Sequence, residues 1–429
     1  MKPYSSPLSQ AMLFGGILAL GISSIFAAPS PAAPGMTAGV VHERISPALG
    51  RGTEIGCFGT SPESPDGLNI IYVALDERQE EGSENVSKGA LYVCDHDLKH
   101  HVKLRELARV HWHDGAMQIW LDNDTLAYMD YVPAKRHYVT YVIRKNGDPV
   151  AGPFEGGLGH GDTPHGSVLM VVDKRQYPQG SNLGSNGLYL YKNGTVSQVV
   201  SLEKDLGPLK DRLKGGDAPS AWIIYHPQLS SEGNYLSIRL DTEKGVESLI
   251  TARVDGSDVR AFEAAAKPLH QQWYDDNTLF GHQRGGGSDQ LKAQRWDRNG
   301  KLLQGLAGPG NHLAMSPDRN YLVSENIYGS DPVVMKLYRA GNTEPLAVLM
   351  NVPAGPIWKN TAHVNPAFSR DGRYVYFNKP VDGLPQVHRI DLSAWIRRRE
   401  EGDELPRKGS DDRVSQALTS PRSSQRPPS

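Results

Sequence analysis

The 429-residue chain reads as an all-β protein, a single seven-bladed β-propeller, and three observations predict it. A tight polar turn recurs along the chain, and each turn leads into a short β-branched or aromatic run such as Tyr235-Leu-Ser-Ile-Arg239 or Tyr374-Val-Tyr-Phe377. A histidine stands just ahead of several of these turns, at His226, His270, His312 and His363. Forty-five glycines and thirty prolines fit a turn-dense chain, and no long amphipathic helical stretch interrupts the pattern. Strand–turn–strand units recurring roughly every 40–50 residues are the signature of propeller blades. The innermost strand of every blade starts on one face beside the common axis, so histidines at that position converge although tens of residues separate them.

Residues 1–28 read as an export signal: Lys2 gives the positive start, residues 11–27 are apolar, and Ala27-Ala28 offers a small-residue cleavage site. Export implies a secreted or periplasmic protein with no membrane attachment after cleavage. Residues 29–50, rich in Pro, Ala and Gly, form a flexible lead-in, residues 51–396 the propeller, and residues 397–429 a disordered polar tail. Seven turns delimit the blades: Ser64-Pro-Asp-Gly67, Leu121-Asp-Asn-Asp124, Asp162-Thr-Pro-His-Gly166, Ser230-Ser-Glu-Gly233, Asp275-Asp-Asn277, Ser316-Pro-Asp-Arg319 and Ser369-Arg-Asp-Gly372. Later hairpins carry Asn146-Gly147, Asn193-Gly194, Asp255-Gly256 and Asn299-Gly300, dipeptides preferred in two-residue turns. Residues 202–219 form an extra charged loop lying over one face. Cys57 and Cys94, the only cysteines, flank the first blade; a disulfide and two buried thiols both remain open. A formal net charge of −2 gives no electrostatic reason to expect nucleic acid, and the chain is expected to be a monomer.

Loops entering the first strand and loops joining the second to the third strand open on the same face of a blade. In blade two that rule brings His113 and His137 together. In blade three it brings His160 to the segment Asp173-Lys174-Arg175-Gln176-Tyr177. Imidazoles, a guanidinium, an ammonium and a phenol gathered on one face suit a polyanionic sugar. Trp112, Trp120, Trp222 and Trp273 could stack on sugar rings, with Trp120 and Trp273 better placed to pack between blades.

At Trp112-His-Asp-Gly-Ala-Met-Gln-Ile-Trp120, His226-Pro-Gln228, His270-Gln-Gln-Trp273 and Asn360-Thr-Ala-His363-Val-Asn-Pro-Ala-Phe-Ser-Arg-Asp-Gly372 the chain resembles the secreted propeller polysaccharide lyases, the oligogalacturonate and ulvan lyases. The resemblance runs over residues 55–395 and shares its turn motifs with TolB-like propellers. It implies a divalent metal ion, zinc, manganese or calcium, held by His226, His270, Asn360 and His363. Asn360 and Asn365 stand where the family has a glutamine and a histidine. By blade position it implies His113, His137 and Tyr177 as the proton-transfer set, with Arg175 nearby. His226 is the alternative base.

The chemistry so implied is β-elimination from an anionic, uronate-containing polysaccharide or oligosaccharide. The C5 proton is acidic only when the adjacent carboxylate is neutralised by a metal ion, Arg175, Lys174 or a protonated histidine. A base must then reach C5 and an acid must protonate the leaving O4. On this reading His113 and His137 are base and carboxylate partner, and Tyr177 relays a proton once a cation depresses its pKa. His282, late in its blade, is expected to matter little. The alternative is a non-enzymatic, TolB-like scaffold that binds another protein through its open face.

Overall fold

The computed structural model describes residues 35–47, 52–76, 86–162, 166–209, 222–242, 245–262, 268–284, 291–326, 330–354, 363–382, 384–393 and 395–396. Within them the chain forms seven antiparallel four-stranded sheets, each a blade of one β-propeller. The innermost strands are Thr53–Glu54, Ile119–Trp120, Gly157–Leu158, Ile223–Leu229, Pro268–Asp275, Leu313–Met315 and Ala367–Phe368. Blade seven borrows its outer strand from the start of the chain: Glu43–Arg44 pairs with Leu384–Asp391, Glu43 opposite Arg389 and Arg44 opposite His388. The ring is therefore closed by hydrogen bonds between the two ends of the propeller.

The recurring turn has one mechanism. Ser64, Ser316 and Ser369 each donate their hydroxyl to the aspartate two residues on, at 2.6–2.7 Å. The same oxygens accept the amide that starts the second strand, as Ser230 Oγ also does from Tyr235. The fourth turn residue is left-handed: Gly67 at φ 72°, Gly233 at 71°, Gly372 at 74° and, without glycine's freedom, Arg319 at 62°. Among the later hairpins only Asn193-Gly194 is a two-residue turn, with Lys192 opposite Thr195. In Asn146-Gly147, Asp255-Gly256 and Asn299-Gly300 the glycine alone has positive φ, and its amide returns to the carbonyl three residues back. These are longer loops than the dipeptides predict.

Side chains alternate between the two faces of each blade, so every blade is buried on both sides by its neighbours. Seven hydrophobic clusters result, one at each blade–blade junction. Ile71, Val73 and Leu91 of blade one meet Trp120 and Leu126 of blade two. Ile55, Ile70 and Tyr72 meet Tyr376 and Val387 across the closure between blades one and seven. Trp112, Trp120 and Trp222 are 1 %, 1 % and 4 % exposed, which removes Trp112 and Trp222 as sugar platforms. Cys57 and Cys94 are both free buried thiols. Leu202 and Leu206 of the extra loop are buried beside Trp222 in the core between blades three and four. That part of the loop is packed inward, while residues 210–219, the signal, residues 29–34 and the tail lie outside the described residues. No helix among the described residues is long and apolar enough to cross a membrane.

Candidate functional site

The innermost strand of several blades bends where it nears the axis. In blades four and five the pairing slips between Tyr225 and Gln228 and between Leu269 and Gln272. The residues inside these bulges, His226 at φ 46° and His270 at φ 52°, are left-handed. Asn365 (46°) in blade seven and Met117 (51°) in blade two hold a similar conformation close to the same place. A non-glycine residue there costs roughly 1–2 kcal/mol. Bulges re-aim side chains at sites. Here the same bend recurs around the ring and turns side chains toward the axis.

Six imidazoles gather as a result, one from each of blades two to seven. Ring centroids run from His113 to His363 at 3.8 Å, His363 to His312 at 4.5 Å, and His312 to His270 at 4.4 Å. The series continues from His270 to His226 at 6.1 Å and from His226 to His160 at 4.4 Å. Blade one supplies Phe58, whose ring, 1 % exposed, lies 5.0–5.6 Å from His160, His226, His270 and His312. His282, later in blade five, is fully buried and meets His270 edge-on at 6.4 Å.

The tightest part of the ring is His113, His312 and His363, which offer three ligand atoms within 4.8 Å of one another. Ligands about 2.0–2.1 Å from a tetrahedral metal ion lie roughly 3.4 Å apart, so small movements would complete the triangle. His312 and His363 also bring their Nδ1 atoms to 3.1 Å, and since His312 Nδ1 faces Glu325, its Nε2 is the nitrogen left for an ion. Asn365 donates its Nδ2 to the His113 carbonyl, while its buried Oδ1 has no hydrogen-bond partner. Three imidazoles beside an orphaned amide oxygen fit a borderline divalent ion such as zinc or manganese better than calcium, which prefers oxygen throughout. Of the residues expected to hold a metal ion, His363 lies in this group with His113 and His312, while His226 and His270 lie further round the ring. Asn360 lies outside the described residues.

Electrostatics favour neutral, lone-pair-bearing imidazoles. Burial holds His160 down to about 4 and His312 to about 3, and burial with the neighbouring imidazoles lowers His226, His270 and His363 well below the usual range. Arg239 adds to the depression at His160, His226 and His270. A protonated ring histidine is therefore a poor carboxylate partner at neutral pH. Glu325, buried beneath the ring, is pushed up to about 8 by burial and faces His312 Nδ1 at 2.5 Å. The Val364 amide also donates to it, at 2.9 Å. This carboxyl–imidazole pair holds one proton between them and orients His312.

His137 and Tyr177 form a second group on blades two and three, with ring centroids 5.0 Å apart. Tyr177 is 2 % exposed and donates its hydroxyl to the Tyr138 carbonyl. Burial, with Glu155 and Asp173, pushes its phenol up, opposite to the depressed pKa expected of a proton relay. Arg175 turns back on Asp173, donating from Nε at 2.9 Å and from Nη2 as well, so a carboxylate of its own chain already neutralises it. His137 Nε2 lies 3.6 Å from Glu155, which also pairs with Lys135. Lys174 is exposed.

Two residues of the ring went unassigned in the sequence although a signal existed. His312 stands four residues before Ser316, as His226 stands four before Ser230. The hairpin that pairs Leu313 with Ser324 and Met315 with Leu322 then places Glu325 directly across from His312. Turn position alone thus pairs the acid with the imidazole. Phe58 carried no comparable signal.

No protein-family model and no curated protein matches the chain. Solved structures do. An oligogalacturonate lyase from Vibrio parahaemolyticus aligns over 83 % of this chain and 95 % of its own, at 12 % identity and a TM-score of 0.55. An oligogalacturonate lyase in complex with manganese aligns over 85 % and 98 %, at 12 % identity and 0.56. TolB from Acinetobacter baumannii aligns over 76 % and 81 %, at 13 % identity and a TM-score of 0.39. At such identities the likeness is one of fold.

Proposed function

We propose that this protein is an exported lyase that cleaves a uronate-containing glycan by β-elimination at the histidine ring, with a divalent metal ion bound by His113, His312 and His363. The carrying observation is the convergence of six mostly neutral imidazoles on one axis, three with ligand atoms within 4.8 Å. The structures named above for oligogalacturonate lyase, one with manganese, support the substrate class. A bound divalent ion would supply the positive charge that acidifies C5 beside the uronate carboxylate.

The chain's own groups supply the rest. His226, neutral and with its buried Nδ1 unpartnered, is the better base for the C5 proton. Arg239, held by Asp241 at 2.9 Å and 12 % exposed, is the cation beside His226, taking the place foreseen for Arg175. Glu325 orients His312. The test is absorbance of the unsaturated product when purified protein meets pectic, ulvan, alginate and glycosaminoglycan substrates, before and after chelation. Activity restored by zinc or manganese, and lost in His363→Ala and His226→Ala, is the expected result. Full activity in His226→Ala would move the base to His137, and no product from any uronate glycan would end the proposal.

A further inference from the structure

The axis has a second mouth. Past the histidine ring, the inner strands line a cavity of about 370 Å³ on the turn-bearing side, which Gly59, the neighbour of Phe58, also lines. Its size falls within the roughly 300–1,000 Å³ typical of small-molecule pockets. Gln228 lines it, is 3 % exposed, and keeps a buried Nε2 with no hydrogen-bond partner. An unpaired buried amide is costly, and a ligand's oxygen that reached it would remove that cost. Gln272 lines it too, and commits its own Nε2 to the Leu313 carbonyl at 2.7 Å.

The charged groups at the mouth divide into a committed pair and an uncommitted cation. Arg370 donates to Asp162 at 2.6 Å and to the Glu63 carbonyl. Arg319 makes no ion pair among the described residues; its guanidinium rests 4.9 Å from the Tyr274 ring, and both line the cavity. Trp273 adds an indole whose Nε1 points to the Gln228 carbonyl at 3.4 Å. The wall therefore offers aromatic edges, one guanidinium fork and, just beneath its surface, an unpartnered amide donor. That set matches a compact polyol bearing a carboxylate.

We propose that this cavity is a second ligand site, distinct from the histidine ring, and that it takes a free sugar acid the size of one or two hexuronate units. The existence of the site rests on the cavity and Gln228; the choice of a sugar acid rests on the glycan reading above. Arg319 would hold the carboxylate and Gln228 a ring or hydroxyl oxygen. Filled by product, such a site would let accumulated uronate act from the face opposite the chemistry.

Calorimetric titration of the full chain with D-galacturonate, D-glucuronate and neutral D-galactose tests this. The expected result is uronate binding that survives in the His312→Ala/His363→Ala variant. It should weaken ~10-fold or more in Arg319→Gly, the scale of one lost charge-assisted hydrogen bond, and also in Gln228→Leu. Arg319→Gly relieves a left-handed residue, so its loss of binding cannot be blamed on misfolding. Galactose should bind ~10-fold more weakly than either acid. Uronate affinity unchanged in both cavity variants, abolished in the ring variant, matched by galactose, or absent altogether would each overturn the site. Lyase failure reads out separately, as missing unsaturated product, and leaves these binding results intact.

Discussion

At the residue scale, the ring makes different demands on its members. Glu325 touches His312 rather than a substrate, so it acts by positioning. Glu325→Gln should keep the fold and weaken metal affinity about 10–100-fold, the usual cost of losing a ligand's orienting partner, as read by metal titration of the chelated protein. His312→Ala should lose near-stoichiometric metal outright. The two arginines separate more sharply. Both are paired with an aspartate two residues away, Arg175 with Asp173 and Arg239 with Asp241, so place separates them: Arg239 lowers the pKa of three ring histidines and Arg175 of none. Arg239→Ala should lower kcat/KM on the active glycan by ~10²-fold or more, and Arg175→Ala by less than ~5-fold. The reverse order would return the carboxylate partner to blade three.

At the element scale, the Ser-x-Asp-Gly turn and the axial bulge are the two local devices. The turn exists because one serine hydroxyl serves both an aspartate and a strand amide, and because its fourth residue can be left-handed. Gly372→Ala should destabilise by about 1 kcal/mol and Arg319→Gly should stabilise by a similar amount, measured by chemical denaturation. Both turns are legible in the sequence as polar residues ahead of a β run. The bulge is not. Nothing in His226-Pro-Gln228 or His270-Gln-Gln272 announces a left-handed histidine, because the bend is imposed where strands crowd toward an axis. That strain sits on the candidate site and nowhere obvious in the local pattern.

At the scale of the whole molecule, the ring holds because each blade buries its neighbour's face and the first strand locks the last blade. Removing residues 35–47 would take away the Glu43–Arg44 strand and expose the outer edge of blade seven. Its thermal transition should drop by more than ~10 °C or broaden, since a ring of blades loses its cooperative closure. Stability should also depend on pH in a set direction. Burial lowers His42, His160 and His388 to about 4 each, below the unfolded value near 6.5. The folded state then binds fewer protons than the unfolded one across that window. Stability is fully present above pH 6.5 and is lost as pH falls toward 4, so Tm should drop by several degrees between pH 7 and pH 4.5. Glu54, Glu63, Asp130 and Glu325 are raised by burial and work the other way, but the lowered histidines, which also include His226, His270, His282, His312 and His363, outnumber them.

The sequence by itself determined the all-β class, seven recurring turns, and that blade-start histidines would meet; the closure by Glu43–Arg44 fixed the blades at seven. The first three follow from period, turn chemistry and the rule that repeated units share an axis. It also contained the pairing of His312 with Glu325, because hairpin register follows from where the turn lies. Only the tertiary structure decided which imidazoles approach within ligand distance. His113 reaches His363 because blades two and seven both adjoin blade one, a proximity no local pattern encodes. It also decided that Tyr177 is buried against a carbonyl and that Arg175 pairs with Asp173. Loop position brings a side chain to a face, but the side chain's orientation depends on neighbours from other blades, whose packing and charge the chain order does not display.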